Sequence, residues 1–296
     1  MYLTGFADEA AEELAGQIAA TKMLGWRYIE ARNIKKQNIH DLPQEEFERA
    51  CEQLEEAGIQ VNCFGSAIAN WAQKITDPFE NSLEQVRRAI LRMQRLGTPL
   101  IRIMSYAVLE ERGPEDQMEQ ERFSRVRTIT QMFLDEGIQP VHENCMNYGG
   151  MGWAYTLRLL ENVPGLKLVF DTGNPVFSAN RMGSKPYPRQ SAWEFYEHVR
   201  DHIAYVHIKD GNHTPPSNEH PDGQMVYTFP GEGQGDVKSI VGDLLKRGYD
   251  GGFSMEPHMG TVLHERGRAL EADQRLNLYV EYGKRFEKIL QDAVSD

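Results

Sequence analysis

Two periodicities alternate along the chain. Short runs rich in β-branched and aromatic residues give way to longer stretches whose apolar positions recur every three or four residues, the signatures of strand and amphipathic helix. Tyr2 to Ala7 reads as a first strand, and Asp8 to Leu24 as a helix with Leu14, Ile18 and Leu24 on its apolar face, closed by Gly25. Trp26 to Ala31 is a second strand, Pro43 to Ala57 a second helix stopped by Gly58, and Ile59 to Phe64 a third strand. The beat continues with a helix over Pro78 to Leu96 ended by Gly97, then a strand over Leu100 to Met104. A helix over about Glu115 to Glu136, ended by Gly137, and a strand over Ile138 to Glu143 follow. A shorter helix, about Trp153 to Glu161, leads into an apolar run that stops at Asp171. Ser191 to Arg200 is helical before a seventh strand beginning at Ile203, and Val237 to Arg247, ended by Gly248, precedes an eighth at Gly252 to Glu256. The closing helix lies between about Ala269 and Ala293, with Leu276, Tyr279, Val280, Phe286 and Leu290 at helical spacing.

Strands that alternate with helices pair in parallel, and eight of them predict closure into a (β/α)8 TIM barrel, read as one α/β domain over residues 1–296. An open doubly wound sheet would need a phosphate-cradling glycine loop after the first strand, and Gly5-Phe6-Ala7-Asp8 offers none. The longest non-helical connections, residues 172–190 and 211–236, follow strands six and seven, and loops of such length in a compact domain are usually functional.

The composition, 40% hydrophobic and 26% charged, suits a globular domain with a sizeable core. A net charge of -12 presents an unfavourable field to a polyanion, so no nucleic-acid partner is expected. The N-terminus lacks a basic region followed by a long apolar core, and no apolar run approaches the roughly 18 residues of a membrane span, so a cytoplasmic protein without membrane association is expected. Cys51, Cys63 and Cys145 are too scattered for a disulfide framework or a CxxC metal pair and read as reduced thiols. A homo-oligomer built on the long loops or the last helix is compatible with the chain, but no periodicity marks an interface.

Four strands end on ligand-type side chains. Glu143 closes QPVHEN, Asp171 stands before Thr-Gly-Asn-Pro, His207 lies in YVHIKD, and Glu256 ends FSMEP. In a closed barrel these positions sit at the carboxyl ends of strands five to eight, where such folds build their sites. Singly each has a structural explanation: an Asx turn for Asp171, a hydrogen-bonded core histidine for His207, helix capping for the glutamates. Together, on consecutive strands and one barrel end, they read as a single metal site. Three carboxylates and an imidazole suit a hard or borderline ion, Mn2+ above all, with Mg2+, Co2+ and Zn2+ as alternatives.

Quoted in order, VHEN, FDTGNP, VHIKD, the PGEGQGD run at 230–236 and SMEPH resemble the xylose-isomerase-like TIM barrels, the sugar phosphate isomerase/epimerase superfamily, over nearly the whole chain. That resemblance implies that Glu143, Asp171, His207 and Glu256 hold one divalent metal and that Glu143 and Glu256 are also the catalytic acid and base. The implied reaction is isomerisation or epimerisation of a ketose-like carbohydrate by proton transfer next to a carbonyl, through an enediolate stabilised by the metal. A lyase on the same site, an inosose-type dehydratase or a keto-glycoside-cleaving enzyme, is the alternative. A non-catalytic sugar-binding barrel is a third reading, which would predict a broken ligand set. The DNA-repair branch uses extra histidines for a three-metal cluster, and Phe64-Gly65-Ser66 and Met104-Ser105-Tyr106 supply none.

Lys209 shares the inward direction of His207 by strand alternation, to bind substrate oxygen or to neutralise surplus carboxylate. Asn174, where the epimerase branch often has histidine, and Arg102 are further substrate-binding candidates; Glu30 and Arg32 could join them or form an ion-pair network. The absence of Lys and Arg between Asp210 and Val237 leans toward an unphosphorylated sugar, whereas Arg181, Lys185 and Arg189 after strand six keep an anion open. Trp71, Tyr148, Trp153 and Phe177 are candidates to pack on a sugar ring or to anchor loops. His198 and His202 have zincin spacing but lack its glutamate, and nothing near Cys145 makes it a nucleophile.

Overall fold

A computed structural model describes residues 1–215, 217, 223–260 and 270–295. Its centre is an eight-stranded, all-parallel sheet: β1 Tyr2–Gly5, β2 Tyr28–Ala31, β3 Gln60–Gly65, β4 Leu100–Ile103, β5 Gln139–Glu143, β6 Lys167–Asp171, β7 Ile203–Ile208 and β8 Gly252–Met255. From β2 to β8 each strand pairs with the next in chain order, and β8 pairs with β1 through Tyr2↔Gly252 to Gly5↔Met255. The remaining gap, between β1 and β2, is spanned by one parallel bridge, Phe6↔Glu30, so the predicted TIM barrel is nearly closed.

Among the described residues, eight helices of two turns or more surround it, with a single-turn helix, Asn174–Phe177, after β6: α1 Leu14–Met23, α2 Gln44–Ala57, α3 Phe79–Leu96, α4 Glu119–Asp135, α5 Trp153–Asn162, α6 Ala192–Val199, α7 Val237–Lys246 and α8 Ala272–Ser295. They turn apolar stripes to the sheet; α2, for example, buries Phe47, Ala50, Cys51 and Leu54. Gly58 and Gly97 end α2 and α3 at φ 67° and 66°, the left-handed conformation in which glycine avoids a side-chain penalty. Among the described residues no helix is long and apolar enough to cross a membrane.

Two starts differ from the periodicity. The first helix opens at Leu14, not Asp8, because Asp8 and Glu9 stand on or beside a single 3-10 turn, Ala7–Glu9, with their carboxylates drawn to Arg32 and His258. The fourth opens at Glu119, because the Gln117 side chain folds back on the Leu109 backbone and Met118 adopts φ 54°. The loops after β2 and β7 also carry short antiparallel hairpins, Asn33–Ile34 with Gln37–Asn38 and Gly211–Thr214 with Gln224–Tyr227.

Strand alternation sorts the side chains. On β6 to β8, Leu168, Phe170, Val206, Ile208, Phe253 and Met255 join the layer beneath the helices. Cys63, Val141, Val169 and Tyr205 pack inside the barrel, with Tyr2, Leu100 and Ala204 against them. Above this plug the interior is polar: Thr4 Oγ1 donates to Asn62 Oδ1 (2.8 Å), Asn62 Nδ2 to Tyr205 Oη (2.9 Å), and Tyr205 Oη to Glu30 Oε2 (2.8 Å). Each buried polar atom in this chain of bonds has a partner, which offsets the cost of removing it from water. The bonds lead upward to His207.

Candidate metal centre

The period-two alternation that sends Val141, Val169 and Tyr205 inward does the same to Glu143, Asp171 and His207, two residues further along β5, β6 and β7. Glu256 follows the end of β8 directly. One ligand atom from each of the four buried residues lies within 4.8 Å of the other three.

Every one of them is held from outside the centre. Asp171 Oδ1 accepts the backbone N–H groups of Gly173 and Asn174, both at 2.8 Å. This is the Asx turn that the sequence alone could not separate from a ligand role, and it uses only one oxygen. Asp171 Oδ2 accepts no well-directed hydrogen bond and faces the Lys209 ammonium at 2.8 Å. Glu143 receives Arg102 Nη1 on Oε2 (3.1 Å) and Asn174 Nδ2 on Oε1 (3.2 Å). Glu256 receives Arg32 Nη1 on Oε1 (3.0 Å) and Lys209 Nζ on Oε2 (2.9 Å).

His207 is gripped from below. Its Nε2 lies 3.1 and 3.2 Å from the two oxygens of fully buried Glu30. A carboxylate there only accepts, so Nε2 carries a proton, and Nδ1 is the nitrogen turned to the centre, 3.3 Å from Glu143 Oε1, 3.9 Å from Glu256 Oε2 and 4.0 Å from Asp171 Oδ2. Sequence reasoning placed Glu30 near the barrel mouth without this role, since nothing local links β2 to β7 across the interior. Phe6 was also missed: its ring lies edge-on to His207 and carries the Arg32 and Arg102 guanidinium groups 4.3 and 5.1 Å from its centroid. Gly65 makes room for it, because a Cβ there would come 2.4 Å from Phe6 Cε1.

The charges follow from these contacts. Burial opposes ionisation of Glu143, but Arg102 and then His207 outweigh it and hold the carboxyl down at about 2. Burial likewise opposes Glu256, whose carboxyl Lys209, His258 and Arg32 keep well below the usual range. For Asp171 burial wins and, despite Lys209, lifts the carboxyl to about 7. Burial disfavours charge on His207, yet Glu30 and Glu143 raise it to about 10. Surplus carboxylate with an under-satisfied oxygen aimed inward is the donor set a divalent cation would complete, and the site fits one.

Above the tetrad opens a cavity of about 270 Å³. Glu143, Glu256 and Lys209 line it, with Arg32, Arg102 and Asn174, whereas Asp171 and His207 lie beneath. Trp71 and Phe177 also line it. Tyr148 and Trp153 do not: Tyr148 is buried and donates to Glu119, and Trp153 stacks on His198 at 3.8 Å, which also places that histidine outside the centre. Cys145 borders the cavity, but burial pushes its thiol far above the usual range, which suppresses the thiolate a nucleophile needs. The PGEGQGD run is a clamp: Asp210 accepts the N–H groups of Gly211, Gly231, Gly233 and Gly235 at 2.8 to 3.0 Å, tying the end of β7 to the segment before α7.

A sequence profile described as xylose isomerase-like TIM barrel matches residues 18–278. The chain belongs to that family. Solved structures similar to this xylose isomerase-like barrel include the IOLI protein with a bound zinc atom (16% identity, TM-score 0.68, 100% of this chain and 98% of that chain covered). The D-allulose 3-epimerase of Methylomonas sp., in complex with D-allulose, is 17% identical with a TM-score of 0.65 and 96% of each chain covered. A probable 3-DHS dehydratase, AsbF from Bacillus anthracis, is 17% identical with a TM-score of 0.66, covering 95% of this chain and 97% of that one. At these identities the likeness carries the fold. No curated protein sequence matches the chain.

Proposed function

We propose that the protein is a divalent-metal-dependent isomerase or epimerase of a ketose-like carbohydrate that moves a proton at the carbon beside a carbonyl. The carrying observation is the division of the tetrad, in which Glu143 and Glu256 face the cavity from β5 and the end of β8 while Asp171 and His207 lie beneath them. A bound ion, Mn2+ in first place with Mg2+, Co2+ or Zn2+ as substitutes, would supply Lewis acidity toward the carbonyl.

The chain's own groups do the rest. Glu143 and Glu256 are both held ionised by cationic neighbours, so either can take a proton from substrate carbon, and the two face the same space from separate strands. Removal by one and return by the other inverts the carbon; return to the adjacent carbon moves the carbonyl. Arg102 and Asn174 hold Glu143 in place, and Lys209 and Arg32 hold Glu256. The substrate is a small carbohydrate, and the relative solved with D-allulose is consistent with one.

Elimination on the same site is the second reading, favoured by one observation: Lys209 Nζ lines the cavity and could protonate a departing hydroxyl. Incubation with Mn2+ and candidate sugars in deuterium oxide separates the two. An isomer carrying solvent deuterium at carbon, lost in Glu143→Gln and Glu256→Gln by at least about a hundredfold, supports the proton-transfer reading. A dehydrated or cleaved product supports elimination, and exchange that survives both substitutions refutes the role of the glutamates.

A further inference from the structure

The charged groups on the floor of the cavity each have one hydrogen-bonding sense, and they satisfy one another. Arg32, Arg102 and Lys209 only donate, the ionised Glu143 and Glu256 only accept, and the pairs are Arg102 with Glu143 and Arg32 and Lys209 with Glu256. The amides of Asn33, Asn38 and Asn174, which also line the cavity, donate to Asp8, the Gly65 carbonyl and Glu143. A carbohydrate hydroxyl both donates and accepts, so its complement is a group that does either and is not engaged by the protein. Tyr227 is such a group. It lines the cavity with Lys209, Glu256 and His258, and among the described residues its hydroxyl makes no hydrogen bond. Tyr148, Tyr205 and Tyr282 differ, for their buried hydroxyls donate to Glu119, Glu30 and the Ile208 carbonyl. A tyrosine taken largely out of water normally brings a partner for its hydroxyl with it.

The ring is fixed by what surrounds it. Tyr227 ends the second strand of the hairpin after β7, where period-two alternation sends Met225 and Tyr227 to the cavity and leaves Val226 exposed. Tyr227 pairs with Gly211, and the adjacent Thr228 N–H donates to the Asp210 carbonyl at 3.1 Å, which ties the base of the hairpin to the end of β7. Phe177 and His258 stand edge-on to the ring, each with its centroid 5.1 Å away. Gly211 leaves the room for Phe177, because a Cβ there would come 2.8 Å from Phe177 Cζ. His258 is clamped in turn by Glu9, which accepts both its backbone N–H and Nδ1. Burial pushes the Tyr227 hydroxyl above the ordinary tyrosine range against the pull of Lys209, so it keeps its proton and can donate. A side chain so held loses little freedom when a guest arrives.

We propose that Tyr227 is a substrate-binding residue whose hydroxyl forms a hydrogen bond with a hydroxyl of the carbohydrate. This rests on the carbohydrate reading above and adds to it a contact from the hairpin after β7. The test is Tyr227→Phe, which keeps the ring between Phe177 and His258 and removes only the hydroxyl. Calorimetric titration of the Mn2+-loaded protein with D-fructose should show about five- to tenfold weaker binding in the variant, which is what one uncharged hydrogen bond contributes. The urea midpoint and the Mn2+ affinity should match the wild type. Monodeoxy analogues of D-fructose, each lacking one hydroxyl, then identify the partner: the analogue without the contacted hydroxyl should bind wild type and variant alike, a coupling that a merely structural role does not produce. Undiminished binding by Tyr227→Phe, or the same loss with every analogue, overturns the contact and leaves the carbohydrate reading standing. A loss that comes with a lower urea midpoint or weaker Mn2+ binding makes Tyr227 structural and also overturns it. Failure of the wild type to bind D-fructose overturns it as well, and the deuterium-exchange panel then shows separately whether the carbohydrate reading falls.

Discussion

Replacing Glu30 by glutamine tests the floor of the centre, because it keeps the shape of a fully buried side chain and removes only its charge. In the native protein both Glu30 oxygens accept, from Tyr205 Oη at 2.8 Å and from His207 Nε2 at 3.1 and 3.2 Å. Glutamine has one accepting oxygen. If that oxygen serves Tyr205, the amide NH2 faces His207 Nε2, which must then accept, so the neutral ring that a cation requires carries its one proton on Nδ1. Nδ1 is the nitrogen turned to Glu143, Asp171 and Glu256, so the displaced proton stands where a cation would bind. Loss of the carboxylate behind a metal-binding histidine typically weakens metal affinity by about 10–100-fold, or about 1.4–2.7 kcal/mol. Competition of Mn2+ against a fluorescent chelator measures this directly, with circular dichroism to confirm the fold; Glu30→Gln should show the full loss. Folded Glu30→Gln protein that binds Mn2+ within about threefold of the wild type would refute His207 as a ligand oriented from below.

Other perturbations give further outcomes. Lys209→Met removes the ammonium between Asp171 and Glu256, so the metal-free protein should lose about 3–5 kcal/mol in urea unfolding while Mn2+ binds more tightly, since a competing positive charge is gone. Unchanged stability and affinity would show that Lys209 does not neutralise the centre. Gly233→Ala puts a Cβ 2.4 Å from Asp210 Oδ1 and should cost about 1–3 kcal/mol, seen as a lower urea midpoint at constant slope. A wild-type midpoint would mean that the glycine run clamps nothing.

The alternation of strand and helix was legible because each unit carries its own punctuation: apolar stripes such as Phe47, Ala50, Cys51 and Leu54, and a left-handed glycine such as Gly58 at the helix end. The meeting of Glu143, Asp171, His207 and Glu256 was legible because all four stand at the ends of consecutive strands, and the inward direction of Lys209 because it lies two residues beyond His207. The supports were not. Glu30 meets His207 across the barrel, and Glu9 receives both the backbone N–H (2.6 Å) and Nδ1 (2.7 Å) of His258, contacts between residues 177 and 249 apart that leave no local trace. The hairpins after β2 and β7 escaped for a different reason. Their strands are two and four residues long and begin with Asn, Gln or Gly, so polar turn chemistry masked the pairing.

The central claim is that one divalent cation sits among the four strand-end side chains. Anomalous diffraction from crystals grown with Mn2+ tests it most directly. One peak bounded by Glu143, Asp171, His207 Nδ1 and Glu256 is the predicted result. A peak instead among Glu9, Glu256 and His258, the other buried group among the described residues whose ligand atoms lie within 4.8 Å of one another, or no peak at all, would contradict it.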